Sequence, residues 1–168
     1  SVEVDYIIVG HGIAGNSMAW HLHRKGYKIA IIHRNDLPNS SRVAAGIFNP
    51  LTGRKLVKTW LADTIFPYAN EHYTAIETAL GIKAIHTCDL FRPYRNEKEK
   101  NAYLQIAQSE ETSTYIADNQ HSWTTSNTLE APLGGLTVTR SGWIDLPVLL
   151  DASQAYFQQH HYWFDNHF

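Results

Sequence analysis

Nine residues near the start, "VGHGIAGNS", constrain the fold most: Gly10, Gly12 and Gly15 have the spacing Gly-x-Gly-x-x-Gly. Before them, Asp5 to Val9 is a mostly apolar run, as expected of a parallel strand covered on both faces. After them the pattern turns helical. Ala14, Met18 and Leu22 recur every fourth position as a face for the sheet, with Asn16, His23 and Arg24 facing outward. Lys28 to His33 then makes a second strand. Strand, helix and strand in this order form a right-handed parallel β-α-β unit.

Each glycine has a physical task in such a unit. Gly10 permits the tight turn, Gly12 lets backbone approach a diphosphate, and Gly15 lets helix and strand pack closely. The free N–H groups of Ile13, Ala14 and Gly15 at the helix start, with the helix dipole, suit an anion. The turn is therefore read as a dinucleotide site. The end of the second strand, where a carboxylate would accept from ribose hydroxyls, carries His33, and neutral imidazole offers one acceptor and one donor without charge. Arg34 next to it raises the alternative of a 2′-phosphate and so NADP. Asp36 is a substitute ribose ligand or part of an Asp-Leu-Pro turn.

The remaining composition excludes several classes. A net charge of -2 with no Lys/Arg cluster gives no field for nucleic acid. No apolar run reaches the length of a membrane span, and no signal peptide is expected. Cys88 is alone, so no intrachain disulfide forms, and a reducing cytoplasmic setting is expected. The ten histidines do not form a ligand set: His21 and His23 point to different helix faces, and His160-His161 lacks a partner at ligand spacing. No metal site is expected.

The segment "NSSRVAAGIFNPLTGRK", residues 39 to 55, is rich in Ser, Ala and Gly, which lets backbone amides approach a flat ring or a phosphate. At this point the chain resembles the FAD-dependent D-amino-acid oxidase and glycine oxidase (DAO) family, whose members carry the glycine fingerprint and then a Ser/Ala/Gly segment running toward a Pro. The resemblance implies that Ser41, Arg42, Ala44, Ala45 and Gly46 lie along the diphosphate, ribityl chain or ring of FAD. It continues in "CDLFRPYRNEKEKNAYLQIAQ" and in "SGWIDLPVLLDASQAYFQ", a return segment to the FAD domain.

The middle of the chain reads as a helix from Thr52 to Gly81, kinked at Pro67, with Leu56, Val57, Trp60, Leu61 and Ile65 on one face. Short strands follow at 83–86 and 90–94, then a helix opened by Asn96 and Glu99 and running through Gln108. Further strands are expected at 114–117, around Leu129, and after Gly134-Gly135 into 136–140. Asp145 caps a last helix. Arg92 and Tyr94 are candidates for holding a substrate carboxylate, with exposure the plainer reading.

The expected architecture is α/β: a Rossmann-like FAD/NAD(P)-binding β-α-β domain with a small inserted α+β substrate lobe, apparently truncated. Residues 1–81 form its first part, 82–140 the lobe and 141–168 the return. The chain stops within what reads as a strand, so it is expected to be a fragment of a longer protein, itself inactive. The expected function is flavin-dependent oxidation of the C–N bond of a small amine or amino acid, with catalytic residues outside this chain. The alternatives are an NAD(P)-dependent dehydrogenase or reductase, and a non-catalytic nucleotide-binding or interaction module.

Overall fold

The structure is a computed structural model that describes residues 3–34, 36, 39–117 and 131–165. In chain order the elements are β1 (Tyr6–Val9), α1 (Ile13–Arg24), β2 (Ile29–Ile32), α2 (Ser40–Val43), β3 (Ile47–Phe48), β4 (Leu51–Thr52) and β5 (Val57–Lys58). Then come α3 (Ala62–Leu80), β6 (Ile85–Thr87), β7 (Leu90–Pro93), α4 (Glu97–Gln108), β8 (Gly135–Val138), β9 (Gly142–Ile144), α5 (Leu146–Gln159) and β10 (Trp163–Phe164). They fall into two compact units. The first comprises residues 1–46, 72–85 and 144–168, the second 47–71 and 86–143.

The first unit is built on a parallel sheet in the order β1-β2-β10. Tyr6 is opposite Ile29 and Val9 opposite Ile32, while Trp163 and Phe164 align with Ile31 and Ile32. Helices α1 and α5 supply its core: Trp20, Leu149, Leu150 and Phe157 are fully buried with Ile29 and Ile31. The Trp20 indole N–H donates to Ser153 Oγ at 2.9 Å, satisfying the one polar atom that burial of the ring would strand. The buried face of α1 is not the one the fourfold spacing suggested. Met18 is 54% exposed, whereas Asn16, Ala19 and Trp20 are buried, because the indole claims the sheet. Strand β1 is also more open than its apolar run implied, with Ile7 61% and Val9 77% exposed.

The second unit is α+β. β7 and β8 pair antiparallel, Leu90 opposite Val138 and Pro93 opposite Gly135. Its core gathers Leu51, Leu56, Tyr103, Tyr115, Leu136 and Val138. Pro93 sits at the strand end, where its missing N–H costs least. The helix read from Thr52 begins only at Ala62; in its place β4 and β5 make a hairpin with Leu51 opposite Lys58. The cause is local. Gly53 (φ 69°), Leu56 (φ 49°) and Leu61 (φ 51°) lie in the left-handed region, which breaks a right-handed helix, and Leu51 and Leu56 are buried in the core in exchange. From Ala62 the helix runs on through Pro67. The stretch read as a strand at 114–117 is a 3-10 turn, Ser113–Tyr115, followed by a bridge from Ile116 to Val138. The strand expected around Leu129 lies outside the described residues. None of the described helices is long and apolar enough to cross a membrane.

Candidate cofactor site

The glycine turn has the geometry its sequence demands. Gly10 takes φ +90° and donates its N–H to the Ile32 carbonyl at 2.8 Å, tying the turn to the end of β2. A Cβ on Gly15 would stand 2.0 Å from the Gly10 carbonyl oxygen, so helix and turn touch backbone to backbone. Gly12 is the N-cap of α1 in extended conformation and offers no side chain there.

The Ser-rich segment closes on this turn from the same unit. Ile13 N–H donates to Ser41 Oγ at 3.0 Å, Ser41 N–H to Asn39 Oδ1 at 3.0 Å, and the Asn39 amide to the His11 carbonyl at 3.5 Å. A Cβ on Gly12 would meet Ser41 Oγ at 3.1 Å. Among the described residues, the N–H groups of Gly12, Ala14 and Gly15 have no acceptor. Backbone donors at a helix start, a bare N-cap and a hydroxyl beside them fit a diphosphate.

His33 lies at the end of β2, as read from the sequence. Its Nδ1 accepts the His11 N–H at 3.2 Å, which places the ring proton on Nε2. Burial, then Arg42, lowers its pKa from the usual value, with Asp165 opposing. Arg34 is committed elsewhere: its Nε and Nη2 hold the two Asp36 oxygens at 3.0 and 2.7 Å. Asp36 is thus the partner of Arg34. Arg42 pairs with Asp151 at 2.5 Å, fixing α2 to α5. Ala44 and Ala45 follow as exposed chain, and no hydrogen bond joins them to the turn among the described residues. Gly46 (φ +67°) is needed where it is because a Cβ would meet the Ile144 carbonyl at 2.1 Å. Arg92, in the second unit, donates to the Gly53 carbonyl at 2.9 Å and covers the Tyr103 ring.

Sequence reading missed what lies beneath the turn. His11, 1% exposed, packs edge-on to Trp163 at 4.8 Å, and Asn16 is fully buried. Neither side chain reaches hydrogen-bond geometry with a partner among the described residues. Burial, aided by His33 and Arg42 and partly offset by the nearby Asn16 amide, lowers the His11 pKa to about 4. The only signal was an imidazole between two glycines. The folded-state value lies below the unfolded one of 6.5, so the unfolded chain binds the proton first. Stability is complete above pH 6.5 and falls as pH drops toward about 4, by on the order of 3 kcal/mol from His11. His72, also lowered to about 4 by burial, His21 and Arg24, acts in the same direction. Urea midpoints measured across this range check it; a His11→Leu protein is expected to have a shallower slope.

A parallel β-α-β unit with open amides at its helix start and a Ser-containing segment laid across them defines a Rossmann-type dinucleotide-binding protein. The chain belongs to the FAD dependent oxidoreductase family (DAO), whose family model matches residues 5–164. It is similar in structure to glycine oxidase from Bacillus cereus ATCC 14579, with a TM-score of 0.62 at 18% identity, over 96% of this chain and 46% of that one. It is likewise similar to iminodiacetate oxidase from Chelativorans sp. BNC1, with a TM-score of 0.67 at 14% identity, over 96% and 47% of the two chains. In sequence it is 38% identical over 55 residues to YurR, an uncharacterized oxidoreductase of Bacillus subtilis (strain 168), which is 33% of this chain and 15% of YurR. The chain thus spans about half the length of the solved structures it matches.

Proposed function

We propose that this chain forms the FAD diphosphate and adenosine end of an oxidoreductase acting on the C–N bond of a small amine or amino acid. The carrying observation is the set of N–H groups at Gly12, Ala14 and Gly15 that have no acceptor among the described residues, with Ser41 beside them. FAD supplies the hydride acceptor when bound. The chain's own residues hold it: the turn amides and Ser41 take the diphosphate, and His33 Nε2–H donates to a ribose oxygen. Ala44, Ala45 and Gly46 remain candidates for the ring end, and residues 82–140 for the substrate side. Glycine oxidase and iminodiacetate oxidase, named for small amino acids, support the substrate class. The test is anaerobic mixing of the FAD-loaded protein, expressed at the full length of its gene, with a panel of small amines, amino acids and alcohols. Bleaching of the visible flavin band by amines and not by alcohols is expected; bleaching by alcohols alone would contradict the C–N assignment.

The NADP alternative rested on Arg34, and its two-pronged bond to Asp36 opposes it. A 2′-phosphate would have to displace a carboxylate already seated in the guanidinium fork. Asp36→Ala frees that fork. Affinity for 2′-phospho-ADP, measured by calorimetry, is expected to rise roughly tenfold in this variant while that for ADP is unchanged. Equal affinities in both proteins would show that Arg34 does not face the ribose.

A further inference from the structure

We propose a second ligand site in the second unit, unrelated to the glycine turn: the groove between the 53–56 turn and α4 binds a small phosphate ester with an apolar body. The groove measures about 640 Å³, a size typical of sites for small organic molecules. Its rim carries Arg54, Lys55, Arg95 and Lys98 against one carboxylate, Glu99.

That carboxylate is already used. Arg95 holds it with Nε at 3.0 Å and Nη2 at 2.5 Å, and Tyr103 Oη donates to it at 3.2 Å. Arg54, Lys55 and Lys98 form no ion pair among the described residues. Three uncompensated cations around one concavity suit a divalent anion better than a single carboxylate. The lower wall is different in character. Ala102 and Ile106 present apolar surface, with Asn96, Gln105 and Ser109 as polar points at the margin. A bare inorganic anion would leave that wall wet, whereas an ester with a ring or alkyl body covers it. The Tyr103 hydroxyl, whose single proton is shared between Glu99 and the Arg54 carbonyl at 3.0 Å, fixes α4 to the turn that carries two of the cations.

The probe is phenyl phosphate, titrated into the protein and followed by its 31P resonance, with inorganic phosphate in parallel. Saturable binding, tighter for phenyl phosphate than for inorganic phosphate and weakened by salt, is expected. Lys98→Glu and Arg54→Ala are each expected to weaken it roughly tenfold, the loss of one charge-assisted contact. An acidic residue in the first turn of α4 suits the helix dipole, so Lys98→Glu keeps its fold, as circular dichroism would verify. Gly12→Val, at the glycine turn, is expected to leave phenyl phosphate binding unchanged. No saturation, or affinity unaltered by both charge variants, overturns the site. A single-stranded oligonucleotide binding more tightly than phenyl phosphate also overturns it, in favour of an extended polyanion.

Discussion

Gly15→Ala is expected to lower stability by at least about 3 kcal/mol and to abolish FAD binding, through overpacking that no rotamer can relieve. The new Cβ would lie 2.0 Å from the Gly10 carbonyl oxygen and 3.5 Å from Ile8 Cγ2. The obstacle is the Gly10 backbone of the turn that defines the site, whereas the Ile8 contact is an ordinary one. Ala is the better helix former by about 1 kcal/mol, which offsets only part of the clash. The helix must therefore move away from β1 by more than 1 Å, roughly the gap between 2.0 Å and an ordinary contact, opening the anion-binding end. Chemical denaturation of both proteins measures the loss. Gly12→Ala separates the two effects. Its one tight contact is with Ser41 Oγ at 3.1 Å, a movable group, so the fold is expected to survive while diphosphate affinity falls.

The second large effect is expected at Glu77, near the end of α3. This side chain, 8% exposed, accepts the N–H groups of Ala84 and Ile85 at 2.7 and 2.8 Å and faces Lys83 at 3.4 Å. It fastens the end of α3 to the start of β6 within the first unit. Glu77→Ala leaves two buried amides without acceptors, at a cost of about 3–5 kcal/mol. Glu77→Gln keeps one oxygen able to accept both and is expected to recover most of the loss. Burial raises the Glu77 pKa, but the two amides and Lys83 outweigh it, so the net shift is downward. A depressed carboxylate stabilises above its unfolded value of 4.5 and ceases to as pH falls through the folded one. Acid unfolding of the wild type should therefore have a component below pH 4.5 that Glu77→Gln lacks. If the Ala and Gln variants unfold at the same urea concentration, the hydrogen bonds are not what the site contributes.

The parts of this fold that show in the sequence are those set by local rules. The β1-α1-β2 unit follows from periodicity changing on either side of a glycine turn. Asp145 caps α5 through the Val148 N–H at 3.1 Å, and Asn96 caps α4 through the Glu99 N–H at 2.8 Å. Glu99 departs from a reciprocal capping box, reaching the N–H of Arg95 at 2.9 Å. What failed to show depends on tertiary partners. Leu56, Val57, Trp60 and Leu61 satisfy helical spacing, yet Leu56 is buried by the core of the second unit through a left-handed turn. Glu77 on a helix reads as solvated until the chain returns its amides to it. The glycine turn itself was legible; the buried His11 and Asn16 under it were not, since nothing local distinguishes an imidazole that points inward.

The account rests on the helix-start amides meeting the diphosphate of FAD. Its most direct test is a titration of the 15N-labelled protein with FAD, followed by 1H–15N correlation spectra. Saturable shifts largest at Gly12, Ala14, Gly15 and Ser41, and absent in Gly12→Val, are predicted. FAD that leaves those four resonances in place, or moves others while they stand still, would contradict it.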